Sequence, residues 1–281
     1  MFDVHLSEPL SAMENKQQYY QLQVKDIHLS FGGLMALNGV TTGVRKGEIF
    51  SIIGPNGAGK TCLLNCINRF YHPEKGRVIF EGRDISEMKP HKIAGLGIAR
   101  TFQNVELFAH MSVLDNIKLG AHVHLKSGFL SGGIYYGKSR TEEILLRKEI
   151  EEKIIDLLEI EPIRKQVVHA LPYGLQKRVE LARALAMKPR VLLLDEPATG
   201  MNLEETEDMA RFILDINEEW ETTIILIEHD MGVVMDISDR ICVLDFGQKI
   251  AEGEPQEIRH DENVIKAYLG EEDITYSRLG A

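Results

Sequence analysis

The chain is short of cysteine, of basic residues and of long apolar runs, and each shortage removes a class of function. It has three cysteines, Cys62, Cys66 and Cys242. An odd number without disulfide or zinc spacing argues against a secreted, stapled domain and against a structural zinc site. Cys62 and Cys66 would share a face of one helix and read as small core residues in a reducing compartment. Acidic residues (43) outnumber basic ones (32), a formal net charge of -11. Broad nucleic-acid binding usually shows the opposite imbalance, so no nucleic-acid partner is expected. No apolar run approaches the ~18 residues of a membrane span. Val191–Leu194 and Ile224–Ile227 have only the length of buried strands. The start Met1-Phe2-Asp3-Val4-His5 lacks a basic segment followed by an apolar one, so no signal peptide is expected. Internal repeats and low-complexity segments are also lacking.

What is present is an ordinary globular composition, 44% hydrophobic and 27% charged over 281 residues. That length holds one large domain or two small ones. The most informative segment is Gly54-Pro55-Asn56-Gly57-Ala58-Gly59-Lys60-Thr61. It matches G-x-x-x-x-G-K-[ST], a phosphate-binding loop. Glu48–Ile53 reads as a strand before it, and Leu63–Ile67 as a helix behind it. A strand, a glycine-rich turn and a helix N-terminus aim backbone N–H groups and a positive dipole end at an anion. The chemistry predicts that Lys60 reaches the β- and γ-phosphates and that the Thr61 hydroxyl binds Mg²⁺.

The pattern along the chain suggests four parts. Residues 1–20 are polar and irregular, an N-terminal extension. Residues 21–104 and 171–255 alternate strands and helices, implying parallel βαβ units of a nucleotide-binding core. Strand candidates are Leu22–Leu29, Gly76–Gly82, Val191–Leu194 and Thr222–Ile227, with helices near 175–187 and 203–216. Ile241–Leu244 and Lys249–Ala251, split by Gly247, suggest a late hairpin. Residues 105–170 change character: Ile144–Leu158 has helical apolar spacing among many charges, while Ser127-Gly128 and Ser131-Gly132-Gly133 look like a loop. Residues 256–281 form a tail of helix and acidic loop.

Val191–Leu194 runs directly into Asp195-Glu196-Pro197. Buried acids are costly without partners. Mg²⁺ beside the phosphate loop would suit Asp195, and Glu196 could polarise a water attacking the γ-phosphate. His229 follows the Thr222–Glu228 strand, at the carboxyl end where ligands of parallel sheets sit.

Taken together, these motifs resemble an ATP-binding cassette (ABC) ATPase, over about Leu22 to Gly270. The resemblance is carried by the loop at 54–61, by Arg100-Thr101-Phe102-Gln103 as a Q-loop, and by the 191–196 strand. Ala198-Thr199-Gly200-Met201-Asn202 as a D-loop and His229 as a switch histidine complete it. It implies an α/β fold: a P-loop ABC ATPase core with an antiparallel β subdomain and a helical insert. It implies ATP and Mg²⁺ as cofactors. Residues 54–61 with Cys62 would line the ATP site, and Phe31 would stack on adenine. Thr61, Gln103 and Asp195 would hold Mg²⁺, Glu196 would be the catalytic base, and His229 would contact the γ-phosphate. Gln103 would also report occupancy to a membrane partner.

The family's signature loop, usually L-S-G-G-Q, completes the ATP site of an opposing subunit. Here the matching segment is Leu171-Pro172-Tyr173-Gly174-Leu175-Gln176, in which only Leu171 and Gly174 fit strictly. Pro172 supplies neither hydroxyl nor N–H, and Tyr173 adds bulk where glycine allows close approach. Leu130-Ser131-Gly132-Gly133 matches better by letters, but it lies 65 residues ahead of Asp195, against 24 for Leu171, and no matching helix follows.

L-x-Y-G-x-Q ahead of an A-R-A-L helix resembles the LivG-type ATPase of branched-chain amino acid importers. So do Thr101–Val105, the insert near 127–140 and the tail Val264–Gly270. ATPases for urea import or lipopolysaccharide export share much of this pattern, and a regulatory nucleotide-binding module with weak turnover is a further alternative. The resemblance implies transmembrane permease subunits, a head-to-tail dimer with itself or a LivF-like ATPase, and a peripheral place on the cytoplasmic face of the membrane. A guanine-reading [NT]-K-x-D motif is lacking. The roughly 70 residues between Q-loop and signature are too few for the long heptad arm of a chromosome or repair ATPase.

Overall fold

The computed structural model describes residues 20–124 and 138–268. Residues 1–19, the Ser127–Gly133 loop and residues 269–281 lie outside them. Two sheets organise the described residues. The first is antiparallel, in the order β2-β1-β4-β5, from β1 (Tyr20–Phe31), β2 (Leu34–Arg45), β4 (Lys75–Phe80) and β5 (Arg83–Asp84). The long strand β2 was not separated from its neighbours in the sequence, because its apolar residues are spread among glycine, threonine and asparagine.

The second sheet runs β10-β9-β3-β8-β7-β6. Its members are β3 (Ile49–Ile53), β6 (Ile98–Arg100), β7 (Val191–Asp195), β8 (Thr223–Ile227), β9 (Arg240–Asp245) and β10 (Gln248–Gly253). All its pairings are parallel except the β9–β10 hairpin. Every residue of β3, β7 and β8 is buried. Strands covered on both faces carry unbroken apolar runs rather than alternation, which is why these were legible.

One apolar cluster lies between the sheets, joining Leu22, Ile27 and Leu37 to Phe50, Leu63 and Leu193, and it encloses α1 (Lys60–Ile67). The other large cluster covers the opposite face with α3 (Val113–Gly120), α5 (Tyr173–Leu185) and α6 (Leu203–Trp220). Between β5 and β6 lies α2 (Pro90–Gly95), and α7 (Met231–Ile237) and α8 (Pro255–Arg259) close the C-terminal end around Val234, Ile241 and Ile258.

The expected helix over 144–158 takes a different form. An α-helix, α4 (Lys138–Glu149), passes into a π-wound turn at Ile150–Ile155. Winding i→i+5 keeps Ile150 and Ile155 on one face, and both are buried, with Ile154 beside them. A regular 3.6-residue helix would place Ile150 and Ile155 about 140° apart.

The candidate ATP site

The phosphate-type loop is shaped by what packs beneath it. Gly54 has φ 144, Gly57 φ 80 and Gly59 φ 100. At Gly54 the backbone approaches the end of β9 so closely that a Cβ would lie 1.9 Å from the Leu244 carbonyl oxygen. The β9–β10 turn also holds the loop directly, as Gly247 N–H donates to Ala58 O at 3.0 Å. Pro55 and Ala58 are buried, while Asn56 and Gly57 are exposed at the crown.

Lys60 opens α1 and is buried. Its ammonium donates to Gly54 O at 2.6 Å and to Pro55 O at 3.0 Å, so the cation sits inside the curl of the loop. Cys62 is half-buried and Cys66 fully buried on the same helix. Burial pushes both thiols up, Cys66 to about 12, which fits core residues rather than nucleophiles.

Asp195 ends β7 beside α1. Thr61 Oγ1 donates to its Oδ1 at 3.4 Å. Arg100, at the end of β6, donates to Oδ2 at 2.7 Å and to Asn65 Oδ1 at 2.6 Å. The sequence places Arg100 in the Q-loop segment without showing this role. Its signal was a long cation ending a buried strand that must lie beside an acid.

Glu196 comes next, with φ 52, a left-handed backbone that non-glycine residues adopt only at a cost of about 1–3 kcal/mol. A hydrogen bond from its N–H to Ile227 O at 2.9 Å holds it there. Its carboxylate gathers the residues the sequence singled out. His229 Nε2 lies 2.5 Å from Oε1, the geometry of a ring N–H donating to carboxylate. Gln103 Nε2 donates to Oε2 at 2.9 Å and Thr199 Oγ1 at 3.2 Å. Gln103 and His229 are exposed and Glu196 buried, so the cluster reaches solvent through Gln103 and His229.

Phe31 does not enter the core: it is 46% exposed at the end of β1, edge-on to Tyr71 at 5.0 Å between ring centroids. The neighbouring start of β2 abuts the loop, since a Cβ on Gly59 would lie 2.6 Å from Ala36 O.

The signature-like segment begins α5. Leu171 is buried, and Pro172 and Tyr173 are exposed. Pro172 occupies the N-cap and offers no side-chain bond there. Gln176 Nε2 donates to Leu171 O at 2.8 Å, which fixes the segment to the first turn of the helix. The Tyr173 ring rests on the D-loop, 3.2 Å from where a Cβ of Gly200 would be. A Cβ on Gly174 would sit 2.4 Å from Glu205 Oε1, so a larger residue here would displace the carboxylate that caps the Asn202 N–H.

The donor set can be tested against Mg²⁺. Among the described residues no group of three or more His, Cys, Asp or Glu side chains could cage a metal ion. Mg²⁺ beside a nucleotide needs no such cage, because it is bound through one or two carboxylates plus phosphate oxygens. Asp195 Oδ1, the Thr61 hydroxyl and the Gln103 amide oxygen are oxygen donors of that kind, so the residues fit.

Known proteins bear out the family. The profile described as "ABC transporter" matches residues 37–199, and that described as "Branched-chain amino acid ATP-binding cassette transporter" matches residues 248–274. The chain is 42% identical to the high-affinity branched-chain amino acid transport ATP-binding protein BraF of Pseudomonas aeruginosa, over 89% of this chain and 98% of that protein. It is 43% identical to LivG of Salmonella typhimurium, of the same description, over 89% and 98%. A crystal structure of a nucleotide-free ATP-binding cassette from an ABC transporter superposes with a TM-score of 0.77 at 31% identity, covering 89% of this chain and 99% of that one. A phosphate loop backed by two strand-end acids, on a fold and sequence shared with these proteins over most of its length, places this chain in the ABC transporter ATP-binding family, whose cassettes bind ATP.

Proposed function

We propose that this chain is the ATP-hydrolysing subunit of a membrane importer for branched-chain amino acids. The observation that carries the reading is the meeting of Glu196 with His229 and Gln103 beside a loop built around Lys60. Similarity to BraF and LivG across nearly the whole of those proteins, and the C-terminal match at 248–274, support the solute class.

Residue by residue, the loop N–H groups of 54–61 receive the phosphates, and Lys60 exchanges its own loop's carbonyls for phosphate oxygens. Thr61, Asp195 and Gln103 would hold Mg²⁺, which supplies positive charge against the charge that builds on the transferring phosphoryl group. Arg100 keeps one carboxylate oxygen of Asp195 engaged, leaving Oδ1 on the side of Thr61. Glu196 takes a proton from the attacking water as the γ-phosphate bond breaks to give ADP and phosphate. His229 and Gln103 fix that carboxylate and present their own polar groups to the phosphate side. Phe31, exposed at the end of β1, is suited to stack on a base.

Pro172 and Tyr173 are exposed where α5 begins, and with Leu171 and Gly174 behind them they would complete the site of an opposing ATPase subunit, a LivF-like chain or a second copy. Transmembrane permease subunits are the other partners. No described helix is long and apolar enough to cross a membrane, consistent with a peripheral subunit at the cytoplasmic face.

The test is uptake of labelled leucine by cells lacking the chain. Uptake should fail, return with the unaltered chain, and stay absent with Glu196→Gln. Normal leucine uptake with a loss of urea uptake or of lipopolysaccharide export would move the assignment to that system. Light scattering of purified Glu196→Gln with Mg·ATP separates the partners: dimer formation supports self-pairing, and a persistent monomer requires the second chain.

A further inference from the structure

Glu228 is a buried acid that the reading above does not use. It follows β8 and is 4% exposed. Among the described residues no cation forms an ion pair with it. Burial pushes its carboxyl above the ordinary range, and the neighbouring Glu196 adds to that, so keeping an ionisable group here has a cost. That cost is offset only by the hydrogen bonds the carboxylate accepts.

Its two oxygens are spent on two backbones. Oε1 accepts from Ala198 N–H at 2.7 Å, and Oε2 accepts from His229 N–H at 3.1 Å. Ala198 begins the loop that follows Glu196 and Pro197. One carboxylate therefore ties the backbone carrying the base to the backbone carrying the histidine. A third tie runs the same way, from Glu196 N–H to Ile227 O. These three bonds fix the frame within which the Glu196–His229 contact of 2.5 Å is made.

We propose that Glu228 is a positioning residue for ATP hydrolysis, holding the D-loop and the switch-histidine loop in the register that aligns Glu196 with His229. The proposal rests on the hydrolytic reading of the site. Only a carboxylate can do this. A glutamine of the same shape has one accepting oxygen, and its amide N–H would face the second backbone donor.

The test is Glu228→Gln, measured beside the unaltered chain for nucleotide affinity, turnover at saturating ATP and thermal stability. Misplacement of a catalytic group by about 1 Å costs on the order of 100-fold, so turnover should fall by at least about tenfold. Nucleotide affinity should stay within about twofold, a change in kcat rather than in binding. The melting temperature should fall by no more than a few degrees, because one backbone N–H loses its acceptor while the cost of burying a charge is relieved. In a His229→Ala background the same substitution should cost less than about twofold further, since residues acting as one unit are non-additive.

Turnover unchanged by Glu228→Gln, a turnover loss matched by the fall in affinity or melting temperature, or a full loss persisting without His229 would each overturn the proposal. Amide hydrogen exchange of the unaltered chain tests it without any substitution: the N–H groups of residues 198 and 229 should be strongly protected although both lie in loops. Exchange at loop rates at either position would overturn the tie. Should the unaltered chain neither bind nor hydrolyse ATP, the reading of the site fails, and exchange still decides whether the tie exists.

Discussion

Replacing Arg100 by methionine removes one half of a buried ion pair and leaves most of the side chain's packing volume. The side chains of Arg100 and Asp195 are 7% and 1% exposed, and the guanidinium lies 2.7 Å from the carboxylate. Besides that bond Arg100 holds Asn65 of α1 and lies over the Phe102 ring, 5.1 Å from its centroid. Among the described residues, the side-chain hydrogen bond that Asp195 keeps without Arg100 is the one from Thr61 at 3.4 Å. Removing one member of a buried pair costs about 3–5 kcal/mol, because the survivor is an uncompensated charge. For a chain of this size each kcal/mol moves the melting temperature by about 2–3 °C, so Arg100→Met should melt about 6–15 °C lower. Adding Asp195→Asn removes the stranded charge and should restore about half the loss, a coupling of at least about 1.5 kcal/mol. Calorimetry of the four proteins reads this directly. A single-variant shift below about 2 °C, or simple additivity in the double variant, would refute the argument that Arg100 neutralises Asp195.

Lys60→Ala should abolish most ATP binding by isothermal titration, since the loop loses the one cation seated within it; unchanged affinity would remove the phosphate role. Gly54→Ala should destabilise strongly and unfold the loop geometry, with a Cβ 1.9 Å from Leu244 O, whereas Gly57→Ala meets nothing within 4 Å and should cost only the backbone strain of about 1–3 kcal/mol. Equal effects of the two on chemical denaturation would contradict that contrast. Burial pushes Cys66 and Cys242 from the ordinary 9.0 to about 12. The folded values lie above the unfolded ones, so the stability they contribute is complete below pH 9 and is lost as pH rises towards 12. Thiol titration at pH 8 should leave both unreacted until the chain unfolds; fast labelling of either in the folded chain would contradict the burial.

What the sequence disclosed was local. Gly54–Thr61 is one contiguous segment whose function is written in its spacing, and Asp195-Glu196 announce themselves by ending an unbroken apolar strand. His229 was legible because the strand before it is equally apolar. What stayed hidden depends on pairings between distant segments. Arg100 meets Asp195 across 95 residues, and Glu228 caps Ala198 across 30. Neither can be seen until β6, β7 and β8 are laid side by side in register. The same holds for Gly174, which reads as a motif remnant yet is pressed against Glu205 of α6. Strand β2 and the π-turn at Ile150–Ile155 were obscured for another reason, since tertiary burial rather than local periodicity selects them.

The central claim is that Glu196 is the base of an ATPase whose nucleotide is held by other residues. The most direct measurement is ATP affinity and steady-state turnover of Glu196→Gln beside the unaltered chain, in the presence of its partner ATPase. The account predicts affinity within about twofold and turnover reduced by at least about 100-fold, the scale of general-base catalysis. Turnover within about threefold of the unaltered chain would contradict it.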